Sequence, residues 1–174
     1  MYVDSHLHLA SDELFPQAES LIERALLAGV EKMVNICTDA STLQRGMELS
    51  AKYPCLYNTG SVTPHDVDEI GESDWPLFSE AARSGKLVAV GETGLDYYNA
   101  RSSRERQKDY LRKYLRLARE CDLPVVIHCR EAFQDFFSIL DEEFQGGKGV
   151  LHCFTGTLEE AKEVVARGFY LSLS

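Results

Sequence analysis

Four of the five histidines in this chain, together with one glutamate, fall where extended backbone would aim them at a common point. In YVDSHLHL, residues 2 to 9, Asp4, His6 and His8 share one parity. A strand turns all three to one side, while Val3, Leu7 and Leu9 take the other. Burying a carboxylate and two imidazoles is costly unless each is paired or bound to metal. The same parity test applies further along. In LPVVIHCRE, Val126, His128 and Arg130 align against Ile127 and Cys129. In KGVLHCFTG, Val150, His152 and Phe154 align against Leu151 and Cys153, and in KLVAVGETGLD, Val88, Val90 and Glu92 align. His6, His8, Glu92, His128 and His152 are therefore expected to converge, and the cysteines to face the other way as packing residues.

Four imidazoles and one carboxylate suit two divalent cations better than one. A tetrahedral site takes three or four ligands, and Glu92 has an oxygen for each ion. Two ions roughly 3.5–4 Å apart activate water and clamp the entering and leaving oxygens of a phosphoryl displacement. Imidazole-rich ligation points to Zn, Mn, Fe or Ni ahead of Mg, although mixed sites tolerate several. Asp4 is expected to orient one of the histidines from behind. A single strand-end histidine is more often a hydrogen-bonded structural residue, and His-x-His alone is a weak motif. The matching parity of four histidines is the stronger signal. His65, after Thr63 and Pro64 in a loop, reads either as a surface residue or as a substrate contact.

Strands alternating with helices must position these residues. Seven apolar, β-branched runs recur: YVDSHLHL, KMVNICT, LYNTGSV, KLVAVGE, LPVVIHC, KGVLHCF and FYLSLS. Amphipathic patterns lie between most of them, among them LFPQAESLIERALLAG, STLQRGMELSAKY, SRERQKDYLRKYLRLARECD and TLEEAKEVVARG. Gly29, Gly85 and Gly168 suit helix C-terminal caps. PHDVDEIGESDW, residues 64 to 75, is irregular and is expected to be a loop. Such alternation implies parallel pairing with right-handed crossovers. No glycine-rich phosphate loop follows any strand, which weakens an open nucleotide-binding sheet. The polar residues sit at the C-terminal ends of separate strands, where a TIM-type (β/α) barrel assembles its site. The expected fold is that α/β barrel as a single domain over residues 1–174, with about seven of the eight strands present.

Composition narrows the classes. A chain of 174 residues, 44% hydrophobic and 26% charged, can bury one sizeable core. A net charge of −10 argues against polyanion binding through overall charge, though metal ions and a local basic patch can still hold phosphates. The chain is expected to carry no leader peptide, and no apolar run approaches the roughly 18 residues of a membrane span. Five cysteines without a Cys-x-x-Cys pair suggest free thiols and a cytoplasmic location.

The motifs DSHLHL (4–9), GETGLDYY (91–98), QKDYLRKYLRLARECDLPVVIHCREA (107–132) and HCFTG (152–156) follow one another along nearly the whole chain. As a set the sequence resembles the TatD family of metal-dependent deoxyribonucleases, a branch of the amidohydrolase-like barrels. The resemblance implies a divalent-metal hydrolase with His6, His8 and Glu92 around one ion and Glu92, His128 and His152 around the other. It also implies a phosphodiester substrate, DNA foremost, taken as single strands or ends. Two departures stand out. The family's usual Gly-x-His-Pro histidine is replaced by Thr63, with His65 two residues on. The family pattern also continues to an eighth strand whose aspartate binds metal and positions the attacking water. No residue here matches it, so this chain is expected to turn over weakly or not at all beside one extended through that strand.

Other residues qualify the reading. Arg130, two residues beyond His128, matches phosphate through a bidentate guanidinium; the alternative is an ion pair with Glu131 or Asp96. Tyr97 and Tyr98, in the loop after Glu92, could stack a base or pack that loop. Residues 101–119 hold eight of the eighteen basic residues, and Tyr110, Leu111, Tyr114, Leu115 and Ala118 form that segment's apolar stripe. Its cations are expected to be a solvated face, with Arg101 and Arg104 placed to meet a nucleic-acid backbone. The sequence thus supports a metal-dependent nuclease in which Glu92, His128 and Arg130 act on the phosphate and His65 and Tyr97 contact substrate. Its rivals are a hydrolase of small esters or amides sharing the metal cage and an inactive metal-binding fragment.

Overall fold

The computed structural model describes residues 1–99 and 101–173. Seven parallel strands follow one another in chain order: β1 (Tyr2–Leu7), β2 (Val30–Cys37), β3 (Leu56–Gly60), β4 (Ala89–Asp96), β5 (Val125–Arg130), β6 (Gly149–His152) and β7 (Tyr170–Leu171). Six helices link them: α1 (Ala18–Leu27), α2 (Ala40–Lys52), α3 (Gly71–Arg83), α4 (Arg104–Glu120), α5 (Phe133–Glu143) and α6 (Leu158–Ala166). This is the wound (β/α) order of a TIM-type barrel with seven of its strands, as the alternation predicts.

Local chemistry sets the element ends. Asp39 accepts the Thr42 amide at 2.8 Å and the Thr42 hydroxyl takes the Asp39 amide at 3.0 Å, a reciprocal cap that starts α2. Thr157 and Glu160 do the same for α6. The glycines after α1, α3 and α6 have φ of +88°, +71° and +81°, the C-terminal caps expected of them.

Three expectations are corrected. The segment 64–75 is not all loop, because α3 begins at Gly71. Its start lacks a side-chain cap and Pro76 lies inside it, so the usual signals are missing, while Glu72 and Asp74 favour the helix N-terminus electrostatically. β1 is not a buried strand: Tyr2 and Val3 are 68% and 54% exposed, because among the described residues β1 pairs with β2 alone. Cys153 is exposed rather than packed, since β6 ends at His152 and the chain turns at Cys153 with φ +48°. Cys129 is buried as predicted.

The main core lies between sheet and helices, where Tyr110, Leu111, Tyr114, Leu115 and Ala118 of α4 are fully buried with Val90, Leu95, Ile127 and Leu151 from the strands. The apolar stripe of α4 is as predicted. Its basic face also reaches sideways. Arg106 meets Glu72 of α3 at 3.1 Å, Lys108 meets Asp135 of α5 at 3.0 Å, and Arg116 meets Glu143 at 2.8 Å. Each such exposed pair contributes little on its own, because solvent screens it.

β4 passes close to β5 at Gly94. Gly94 has φ +150°, and a Cβ built there would sit 1.8 Å from the carbonyl oxygen of His128 on β5. Backbone cannot give way as a flexible side chain can, so Gly94→Ala is expected to cost about 3 kcal/mol or more. Denaturant unfolding measures it, and a change below about 1 kcal/mol would show that β4 and β5 can separate there.

Candidate metal centre

Glu92 lies at the centre of the strand ends. It sits on β4 between Val90 and Thr93, where the register with β5 shifts. The Thr59 hydroxyl of β3 donates to the Gly91 carbonyl at 2.6 Å and ties that irregular stretch to its neighbour. Glu92 is 9% exposed, and its two oxygens face different strands. Oε2 is 3.2 Å from Nε2 of His6 on β1, and Oε1 is 3.1 Å from Nδ1 of His128 on β5.

The other imidazoles close around this carboxylate. The rings of His6 and His152 stack with centroids 3.4 Å apart and planes 4° from parallel, and His8 meets His6 edge-on at 5.1 Å. Ligand atoms of His6, His8 and Glu92 lie within 4.8 Å of one another. The five residues predicted to converge are thus neighbours.

A second constellation stands beside the first. Ligand atoms of His65, Asp96 and His128 also lie within 4.8 Å of one another. Nε2 of His128 is 2.8 Å from Oδ2 of Asp96, and Nε2 of His65 is 3.6 Å from the same oxygen. Asp96 is fully buried and accepts the amide and the side-chain NH2 of Asn99 at 2.7 and 2.8 Å. Gln107 of α4 pins the backbone there, accepting the Asp96 amide at 2.7 Å and donating to its carbonyl at 3.1 Å. Asp96 therefore fixes the His128 ring with Nδ1 turned toward Glu92, the usual arrangement of a carboxylate behind a ligating histidine. Sequence reasoning gave that supporting role to Asp4. Asp4 instead is exposed and accepts the backbone amide of His6 at 3.2 Å. Asp96 shares the parity of Glu92, two pleats on, and that was the available signal.

Protonation follows from the surroundings. Burial pushes the Glu92 carboxyl up, but the hydrogen bond from His128 and the close approach of the His128 and His6 rings outweigh it and hold the group well below the usual carboxylate range. For His128 burial works downward, and hydrogen bonds to Glu92 and Asp96 overcome it, so its pKa is raised. Burial lowers His8, His65 and His152. For His8, His65 and His152 the neutral form, and for Glu92 the ionised form, are the protonation states that metal binding needs. Nδ1 of His152 and both ring nitrogens of His6 are buried without a hydrogen bond, the 3.2 Å approach of Glu92 to His6 being poorly aligned for one. Unpaired buried nitrogens cost about 1–3 kcal/mol each in a protein-only site, and as lone-pair donors they fit divalent cations.

The remaining named residues lie around this mouth. Arg130, the last residue of β5, forms no ion pair among the described residues with Glu131, Asp96 or any other acid; its guanidinium carbon lies 3.8 Å over the ring of Tyr98. The hydroxyl of Tyr97 donates to Asp135 at 2.6 Å and the Arg104 guanidinium covers its ring at 4.3 Å. Thr63 donates its hydroxyl to Asp66 at 2.9 Å. The His65 ring stands edge-on to His128 at 5.3 Å, inside the mouth rather than on the outer surface.

Fold and site together define a (β/α)-barrel protein with an imidazole–carboxylate cage at the C-terminal ends of its strands. The chain belongs to the family described as TatD related DNase, whose profile matches residues 3–174. It is 38% identical over 173 residues to the metal-dependent hydrolase YabD of Bacillus subtilis, covering 99% of this chain and 68% of that protein. It is 34% identical over 172 residues to the 3'-5' ssDNA/RNA exonuclease TatD of Citrobacter koseri, covering 98% and 66%. Among solved structures, the TatD homolog YJJV from Escherichia coli superposes with a TM-score of 0.88 at 29% identity, covering 98% of this chain and 66% of that one. A TatD family hydrolase from Entamoeba histolytica gives 0.87 at 26% identity, covering 98% and 64%. The chain therefore spans about two thirds of the length of these relatives. No helix among the described residues is long and apolar enough to cross a membrane.

The carboxylate's grip on His128 can be read directly. In the metal-free protein the His128 ring is expected to titrate above the ordinary value of 6.5, and His8 and His152 below it. That interaction stabilises the metal-free fold fully below about pH 6.5 and is lost as pH rises through the raised folded value. Glu92→Gln removes the facing negative charge, so the His128 pKa should fall. Ring-proton NMR titration checks this, and an unmoved His128 would exclude Glu92 as the cause.

Proposed function

We propose that this chain forms the metal- and phosphate-holding part of a divalent-metal phosphodiesterase acting on DNA from an end, with single strands as the preferred form. The observation that carries the reading is the split allegiance of Glu92, one oxygen toward His6 and the other toward His128. A carboxylate so placed can serve two ions, one held with His6 and His8 and the other with His128 and His152. Divalent ions bound there would supply Lewis acidity to a phosphoryl oxygen and make water a competent nucleophile near neutral pH.

The chain's own residues do the rest. Glu92 and the four histidines set the positions of positive charge. Asp96 holds the His128 ring in one orientation. Arg130, with no acid of its own among the described residues, offers donors to a phosphate oxygen, and His65 faces the mouth where a leaving or bridging oxygen would pass. The names of the relatives, metal-dependent hydrolase and single-stranded DNA/RNA exonuclease, support this assignment. Glu92 on β4, where many related barrels use a carboxylated lysine, favours the nuclease over a small-substrate hydrolase.

Metal analysis after gentle purification should give about two divalent ions per chain. Glu92→Ala should remove most of both, whereas His8→Ala should remove about one. Any shortening of end-labelled single-stranded DNA by this chain in Mn or Mg is expected to be slow, and to be abolished by EDTA. Hydrolysis of a small ester without any loss of DNA would overturn the reading in favour of a small-molecule hydrolase.

A further inference from the structure

We infer that Tyr98 is the platform on which an unpaired nucleobase of the substrate stacks, and that Arg130 is held by the same ring to meet the adjacent phosphate. This rests on the phosphodiesterase reading above. The two tyrosines after β4 differ sharply in what they have left to offer. Tyr97 is used up by the fold, its hydroxyl bound by Asp135 and its ring covered by Arg104. Tyr98 is 58% exposed, and among the described residues no other aromatic ring packs on it.

Arg130 lies over Tyr98 with its guanidinium carbon 3.8 Å from the ring centroid, and the tyrosine stays 58% exposed. Stacked in this way, the guanidinium keeps its donors in one plane and pays less to order them when an anion arrives. The location is set by the sheet. Asp96 pairs with Arg130 in register and Tyr97 donates its amide to the Arg130 carbonyl at 3.0 Å, so Tyr98 leaves β4 beside the last residue of β5. His128 lies two residues back along β5, roughly 6.6 Å of strand rise, which is the scale of one nucleotide from phosphate to base. A largely exposed ring beside a cation with unspent donors suits a flat aromatic base next to a phosphate. It demands a base outside a duplex stack and accepts any of the four.

The test is affinity for a short fluorescein-labelled oligonucleotide, read by anisotropy in Ca with the full chain, with and without a terminal base. The unmodified chain is expected to lose roughly fivefold or more when that base is replaced by an abasic residue. Tyr98→Ala should show a similar loss on the intact oligonucleotide and little further loss on the abasic one, while Tyr98→Phe should keep the base dependence. If Tyr98→Ala weakens both oligonucleotides by the same factor, or neither, the ring merely props Arg130 or does nothing, and the inference falls. If the unmodified chain binds no single strand at all, the phosphodiesterase reading falls with it.

Discussion

The contact of one buried carboxylate with two imidazoles from strands on either side of it is the constraint on which the site depends. Glu92 reaches His6 on β1 with one oxygen and His128 on β5 with the other, at 3.2 and 3.1 Å. Those strands are not neighbours in the sheet, so the contact requires the sheet to curl until its ends face inward. Curling follows from the right-handed twist of parallel strands covered by helices on their outer side. The apolar layer under α4 supplies the energy to hold that curvature. The carboxylate converts it into a fixed array of imidazole nitrogens.

Support for the array is layered outward. Asp96 is buried and saturated by Asn99 and His128, and Gln107 locks the backbone beneath it from α4. The close pass of Gly94 against the His128 carbonyl brings β4 and β5 together where Glu92 and His128 meet. A side chain in that position would push apart the pair that carries Glu92 and His128. Positions that look like plain backbone therefore govern the geometry of the chemistry.

Much of this was legible in the sequence, because a strand's period of two reports which side chains share a face. The parity of His6, His8, Glu92, His128 and His152 located the cage, and the strand–helix alternation gave the barrel. Three things were not legible for physical reasons. The helix at Gly71–Arg83 starts without a capping side chain and contains Pro76, so tertiary packing of Phe78 and Ala82 overrides weak local signals. The exposure of β1 depends on which strands pair at its edge, a long-range property. The division of labour between Asp4 and Asp96 depends on where β4 ends relative to β5, a register that residue types alone do not encode.

Pairing the cations of α4 with acids of α3 and α5 also shapes how a polyanion meets the molecule. The chain carries a formal charge of −10, and along that outer wall arginine and lysine are committed to Glu72, Asp135 and Glu143. A negatively charged strand drifting toward the wall is repelled at long range and finds little there to hold it. Approach along the barrel axis meets Arg130, with its donors unspent, and Arg101, close enough to His65 for its charge to be felt there. On the phosphodiesterase reading, encounters would thereby be sorted by direction before any contact forms, a filter on orientation that weakens as salt screens charges beyond the Debye length of about 8 Å.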